Sequence, residues 1–240
     1  MQSNSTLSCT ILEKRNETPN VFSLVLRVEG ERPPFLAGQY LTVRLPHFEP
    51  VEGKSYSIAS TPREKNITLT IKEMGGFSRA ILAHEVGDTI TTSLPYGFFY
   101  PEPDESSGLA FVIGGIGITP CMSIIGDLLE HDYQKPITLF YSNRTQADIV
   151  FKNALDTLAQ KHSNFKIHYF ITREPIQGRA LNGQSVTYDR MTADFITANT
   201  PNLHETDFFL CGSIDFTKDM WKSLKTEGIE HTRLFTEGFF

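Results

Sequence analysis

A short apolar run, Phe111-Val112-Ile113, leads into Gly114-Gly115-Ile116-Gly117-Ile118-Thr119-Pro120. That order reads as a buried strand, a glycine turn and the start of a helix. Gly115 and Gly117 carry no Cβ, so a pyrophosphate can approach the backbone where a helix N-terminus offers free N–H groups and a positive dipole. Pro120 suits a first helical turn and stands where G-x-G-x-x-G has its third glycine. An ordinary strand–turn–helix connection has the same appearance. Lys54-Ser55-Tyr56-Ser57-Ile58-Ala59-Ser60 alternates like any strand with one wet face. Thr70-Ile71-Lys72-Glu73-Met74-Gly75-Gly76-Phe77-Ser78 ends a strand on a glycine pair at a helix start, a second phosphate cradle by the same reasoning. Cys211 closes the apolar strand Phe208-Phe209-Leu210, and Gly212-Ser213 lead into another helix. A cysteine so placed either packs as a small hydrophobe or lines a ligand at the carboxyl edge of a parallel sheet.

The elements that position these residues have two rhythms. Before residue 100 the chain reads as short β-rich runs: Val21–Val28, Gln39–Leu45, Lys54–Ser60, Asn66–Glu73 and Thr89–Leu94. Turn residues separate them at roughly the 8–12-residue spacing of a small barrel or sandwich. One helix interrupts, capped by Ser78 and ending before Gly87. Pro101–Gly108, with two prolines and three acids, reads as an exposed linker. Beyond it, strand runs at Leu109–Ile113, Ile137–Tyr141, Phe165–Ile171 and Asp207–Leu210 alternate with amphipathic stretches at Thr119–Glu130, Ile149–Lys161 and Ile214–Thr226. Such alternation implies a doubly wound parallel sheet. The expected organisation is a β-barrel domain over 1–100, a linker over 101–108 and an α/β nucleotide-binding domain over 109–240.

Composition excludes several function classes. Lys and Arg number 22 against 28 Asp and Glu, a net charge of −6 without the basic footprint of a nucleic-acid binder. Cys9, Cys121 and Cys211 stand far apart, which gives neither a disulfide framework nor a zinc or iron–sulfur loop. The seven histidines form no metal spacing, so no metal is expected. The opening residues are polar, and Leu109–Ile118 is too short to span a bilayer. A reduced, cytoplasmic protein without a membrane span is the expectation.

Taken together and in this order, Lys54–Ser57, Gly75–Ser78, Gly114–Pro120, Cys211–Ser213 and the aromatic Glu237–Phe240 resemble the ferredoxin–NADP reductase superfamily of flavoproteins over nearly the whole chain. The resemblance implies a six-stranded antiparallel FAD-binding barrel and a five-stranded parallel NAD(P)-binding domain. It implies that Tyr56 packs on the isoalloxazine, Ser57 hydrogen-bonds near flavin N5, and Lys54, with Ser55 beside it, faces the flavin phosphates. Thr70, Ile71 and Lys72 would run alongside the flavin, and Gly75, Gly76, Phe77 and Ser78 would hold its pyrophosphate. Gly115, Gly117, Ile118, Thr119 and Pro120 would receive the dinucleotide pyrophosphate. Cys211 would sit beside the nicotinamide, with Gly212 behind it. Glu237 would accept a hydrogen bond near Cys211 or Ser57, and Phe239 or Phe240 would cover the flavin.

Lys54 departs from the family's arginine and replaces a bidentate fork by a point charge. Arg144, Arg173 and Arg179 resemble a clamp for the 2′-phosphate of NADPH, whereas Glu174 beside Arg173 opposes one; NADPH or NADH remains open. The activity implied is hydride transfer from NAD(P)H to FAD, then electron delivery to a separate carrier such as a ferredoxin, a flavodoxin or an oxygenase component. Two alternatives share the fold: an NAD(P)H:flavin reductase that uses flavin as a diffusing substrate, and a non-catalytic electron-transfer subunit.

Overall fold

The computed structural model describes residues 6–102, 106–176, 180–181 and 183–239. The chain divides into two compact units, Met1–Tyr100 with Thr119–Asp127, and Pro101–Ile118 with Leu128–Phe240. In the first unit, strands β1 (Thr6–Thr18), β2 (Val21–Val28), β3 (Tyr40–Arg44), β4 (Lys54–Ser57), β5 (Ile67–Lys72) and β6 (Thr89–Ser93) form one sheet. Its order is β4-β3-β6-β1-β2-β5, with every pairing antiparallel. An antiparallel bridge between Ile58 and Leu69, and a bond from the Ala59 N–H to the Thr68 carbonyl, join the two ends of that order into a barrel. Leu24, Leu26, Leu41, Val43, Ile67, Leu69 and Ile71 fill it.

Two details correct the sequence reading. β1 is absent from it because only Cys9, Ile11 and Thr18 of its thirteen residues are buried, and register shifts at Ile11/Glu13 and Asn16/Thr18 break the alternation. Helix α1 (Gly76–Leu82) is capped by Gly75, not by Ser78, which is its third residue. The Ser78 hydroxyl accepts from the Met74 N–H at 2.8 Å and donates to the Gly75 carbonyl at 3.1 Å.

The second unit opens with β7 (Gly108–Gly114), a 3₁₀ turn over Gly115–Gly117 and helix α2 (Ile118–Glu130). There follow β8 (Ile137–Asn143), α3 (Lys152–Lys161), β9 (Phe165–Ile171), β10 (Ala180–Leu181), β11 (Gln184–Thr187), α4 (Ala193–Ala198), β12 (Thr206–Ser213), α5 (Ile214–Thr226) and β13 (Leu234–Phe239). The sheet order is β10-β11-β9-β8-β7-β12-β13. Six strands are parallel, one more than the resemblance implies, and β10 runs antiparallel to β11. β7 is buried from Gly108 to Ile113, as a strand covered on both faces must be. Since β8 flanks β7 on one side and β12 on the other, the topology switches direction at the carboxyl ends of β7 and β12, where α/β sheets bind ligands.

Residues Thr119–Asp127 of α2 belong to the first unit, where the Ser123 hydroxyl donates to the Ser60 carbonyl at 2.6 Å. α3 begins at Lys152 and not at Ile149, because Thr145 and Asp148 close a capping box around a separate turn, Gln146–Asp148. The expected exposed linker is part of the second unit at its end: Ser106 is buried, its carbonyl accepts from Lys135 Nζ, and Ser107 N–H donates to the Glu205 carbonyl. Residues 103–105 of that linker lie outside the described residues. No helix among the described residues is long and apolar enough to cross a membrane.

Candidate functional site

In the first unit, β4 and the turn before α1 gather the expected flavin residues. Ser57 is 2% exposed, and its Oγ has no hydrogen-bond partner among the described residues. A buried hydroxyl without a partner costs free energy, so it marks a place where something else is meant to bind. Tyr56 beside it is half-buried, and burial pushes its phenol up to about 12. Lys54 and Ser55 are exposed. Lys54 Nζ lies 5.9 Å from the centre of the Phe77 ring, which brings its charge to the Gly75–Ser78 turn. A Cβ built on Gly75 or Gly76 would meet nothing within 4 Å, and Gly75 has φ +153°. The turn is therefore open to an approaching group. Thr70 and Ile71 are buried, and the Thr70 hydroxyl is engaged by Ser23 at 2.7 Å; of that strand segment only Lys72 is part-exposed.

In the second unit, the three glycine positions that the sequence singles out do different work. Gly115 has φ +54°, and a Cβ there would meet open space. A Cβ on Gly117 would lie 2.4 Å from the Cys211 carbonyl oxygen, and one on Gly212 would lie 2.7 Å from Phe216 Cδ1. Gly115 faces outward, while Gly117 and Gly212 permit the turn, β12 and α5 to pack. Ile118, Thr119 and Pro120 are all buried, so this segment presents backbone and not side chains to a ligand. Cys211 is also fully buried, paired in register with Ile113 on one side and Glu237 on the other. Its thiol is covered in this structure, as the Ser57 hydroxyl is. Glu237 is brought beside it, half-buried, and burial raises its carboxyl to about 7. Phe239 is half-buried opposite Ser213. Phe240 and Arg179 lie outside the described residues.

Arg144 and Arg173 follow neighbouring strands, and the Arg173 N–H donates to the Arg144 carbonyl at 2.8 Å; both are exposed. Glu174 stays in the same cluster, its Oε1 accepting from the Gln146 N–H at 3.1 Å. Its carboxylate is thus anchored to the backbone that follows Arg144.

Residues 111–222 match the family model described as the oxidoreductase NAD-binding domain. Reductase component 1 of terephthalate 1,2-dioxygenase from Comamonas sp. is 31% identical over 199 residues, covering 81% of this chain and 56% of that one. NADH-cytochrome b5 reductase 1 of Dictyostelium discoideum is 26% identical over 226 residues, 92% of this chain and 77% of its own. The ferredoxin NADP+ reductase of Neisseria gonorrhoeae, solved with bound FAD and NADP, superposes with a TM-score of 0.83 at 19% identity over 98% of this chain and 99% of that one. Residues 111–222 thus carry an oxidoreductase NAD-binding domain, and the chain as a whole has the fold of ferredoxin–NADP reductase-like FAD- and NAD-binding proteins. It spans about half the length of several curated relatives it matches.

The residues of this chain fit the two groups bound in that solved structure. The unpartnered Ser57 hydroxyl and the open Gly75–Gly76 turn fit a flavin dinucleotide, and the open Gly115 turn fits a second dinucleotide. The Ser78 hydroxyl donates to the Gly75 carbonyl and braces the turn from within. Sequence reasoning passes over Tyr141, which is fully buried and donates its hydroxyl to the Gly115 carbonyl at 3.0 Å. The signal available was a tyrosine closing the mostly apolar Ile137–Tyr141 run, since a buried phenol needs a partner.

Proposed function

We propose that the chain is an NAD(P)H-dependent flavoprotein reductase, with residues 1–100 holding FAD and residues 109–240 holding the nicotinamide dinucleotide. Its electrons would go to a separate acceptor: an oxygenase component, a ferredoxin or a flavodoxin. The observation that carries this reading is the buried, unpartnered Ser57 hydroxyl in the same unit as the open Gly75–Gly76 turn. When bound, FAD supplies acceptance of a hydride and release of single electrons.

In this reading Ser57 Oγ gives the flavin ring a hydrogen bond and Tyr56 packs against it. Lys54 and the backbone of Gly75, Gly76 and Phe77 hold the flavin phosphates. Gly115 with the backbone of Ile118 and Thr119 holds the pyrophosphate of the coenzyme. Glu237 keeps a proton on its carboxyl near neutrality, with Cys211 packed beside it. The pairing of Arg144 with Arg173 favours NADPH as the coenzyme, against the charge of Glu174, which is held at the Gln146 N–H two residues past Arg144. An oxygenase component is the favoured acceptor because the terephthalate and phenol relatives are themselves named as reductase components. Cys9, Cys121 and Cys211 are buried and far apart in sequence, which supports a cytoplasmic location.

The test is direct. The purified protein should be yellow, release FAD on denaturation, and bleach under anaerobic conditions on addition of NADPH faster than with NADH. Release of FMN, or a pigment that neither coenzyme bleaches, would overturn the reading. One observation favours a second reading, an NAD(P)H:flavin reductase: Lys54 is exposed and is a point charge, a looser grip than a fork. Equilibrium dialysis that strips the flavin at micromolar protein would support it.

A further inference from the structure

Asn143 is the last residue of β8 and is 5% exposed, yet neither its Nδ2 nor its Oδ1 has a hydrogen-bond partner among the described residues. Its backbone carbonyl is occupied, accepting from the Thr172 N–H at 3.0 Å and from the Thr172 hydroxyl at 3.3 Å. The side chain is the part left over. A buried primary amide with donor and acceptor both unmet is more costly than a single orphaned oxygen, and native proteins keep such groups for a reason.

Register says which way this amide faces. Side chains two apart on a strand share a face, so Asn143 lies on the face of Tyr141, whose hydroxyl reaches the Gly115 carbonyl. β7 pairs with β8 as far as Gly114 opposite Ser142; Gly115 follows as the first residue of the turn, and Asn143 as the last residue of β8. The amide therefore stands level with the open glycine turn at the carboxyl edge of the sheet, one residue before the exposed Arg144.

A phosphate can accept from Nδ2 but leaves Oδ1 unmet. A vicinal diol answers both, because one hydroxyl donates while the other accepts. We propose that Asn143 is a coenzyme-binding residue whose side-chain amide reads a ribose diol of the nicotinamide dinucleotide. This rests on the dinucleotide reading of the second unit given above. It assigns a role to a residue that no glycine or arginine motif marks.

The two-sided signature of Asn143→Leu tests it. Leucine has nearly the same shape and removes both orphaned atoms. Calorimetric titration of the flavin-loaded protein with NADP+ and NAD+ should show affinity for each falling about tenfold, as expected for two lost hydrogen bonds. The melting temperature without coenzyme should stay level or rise. Competition by inorganic pyrophosphate should be the same in wild type and variant. Affinities within twofold of wild type would mean that only a buried water meets the amide, and would overturn the assignment. A fall in melting temperature, with or without weaker binding, would make Asn143 a structural residue of the strand end and would also overturn it. Equal weakening of pyrophosphate would replace the diol by a phosphate. If the leucine variant does not fold, Asn143→Ser is judged on the same readings. Failure of the wild type to bind either coenzyme would overturn the dinucleotide reading together with this one, whereas the other outcomes strike this assignment alone.

Discussion

Glu237→Gln is the perturbation whose outcome the structure specifies most fully. Glu237 sits on β13 in register with the buried Cys211, and burial raises its carboxyl from 4.5 to about 7. The folded protein therefore holds a proton that the unfolded chain has lost, and stability attributable to this group falls as pH rises from the unfolded value through the folded one. Well above both, ionising it in place costs about 3 kcal/mol, from 2.5 units at about 1.36 kcal/mol each. Glutamine is neutral at every pH and nearly the same shape. The variant should gain about 1 kcal/mol at about pH 5.5 and about 3 kcal/mol at about pH 8. Urea denaturation of the flavin-loaded protein at both values measures the difference. A gain that is equal at the two pH values, or a loss at about pH 8, would refute the argument that burial controls this carboxyl.

Gly117→Ala should cost about 1–3 kcal/mol, because its Cβ would meet the Cys211 carbonyl at 2.4 Å, and thermal unfolding would show it. Gly115→Ala should cost only about 1–2 kcal/mol of backbone strain and should instead weaken coenzyme binding; the opposite pattern would reverse the roles assigned to the two glycines. Arg144→Ala and Arg173→Ala should each raise KM for NADPH by about 10- to 150-fold and leave KM for NADH nearly unchanged. Equal losses with both coenzymes would show that the arginines serve the fold. Lys54→Ala should lower FAD content after dialysis, and Lys54→Arg should hold or raise it; identical flavin content in all three proteins would remove Lys54 from the phosphate site.

What the sequence disclosed depended on whether the chemistry was local. The Gly114–Pro120 turn was legible because strand, glycines and helix are contiguous, and the structure keeps them so. The two halves were legible because a barrel and a doubly wound sheet have different periods. β1 was not, because its buried residues are few and its bulges break their spacing. Ser78 misled for a physical reason: a serine near a helix start is a good cap, but here glycine at 75 takes the cap position, leaving the hydroxyl to tie the turn together. Cys211 was legible as the end of an apolar strand, and the structure pairs it with Ile113 and Glu237 within the sheet. Tyr141 and Asn143 were invisible, since their significance lies in what they reach or fail to reach across the sheet.

The self-bonded turn before α1 bears on the order of assembly. The Ser78 hydroxyl joins Met74 and Gly75 without help from any ligand, so the loop is already shaped when the polypeptide finishes folding. A preshaped loop loses little conformational entropy when a guest arrives. Cofactor insertion can then follow folding as a separate event, and variation in retention among mutants of this loop should appear mainly in dissociation rates. A newly made chain can shape this loop before its flavin arrives, and flavin binding then adds its own stabilisation by mass action.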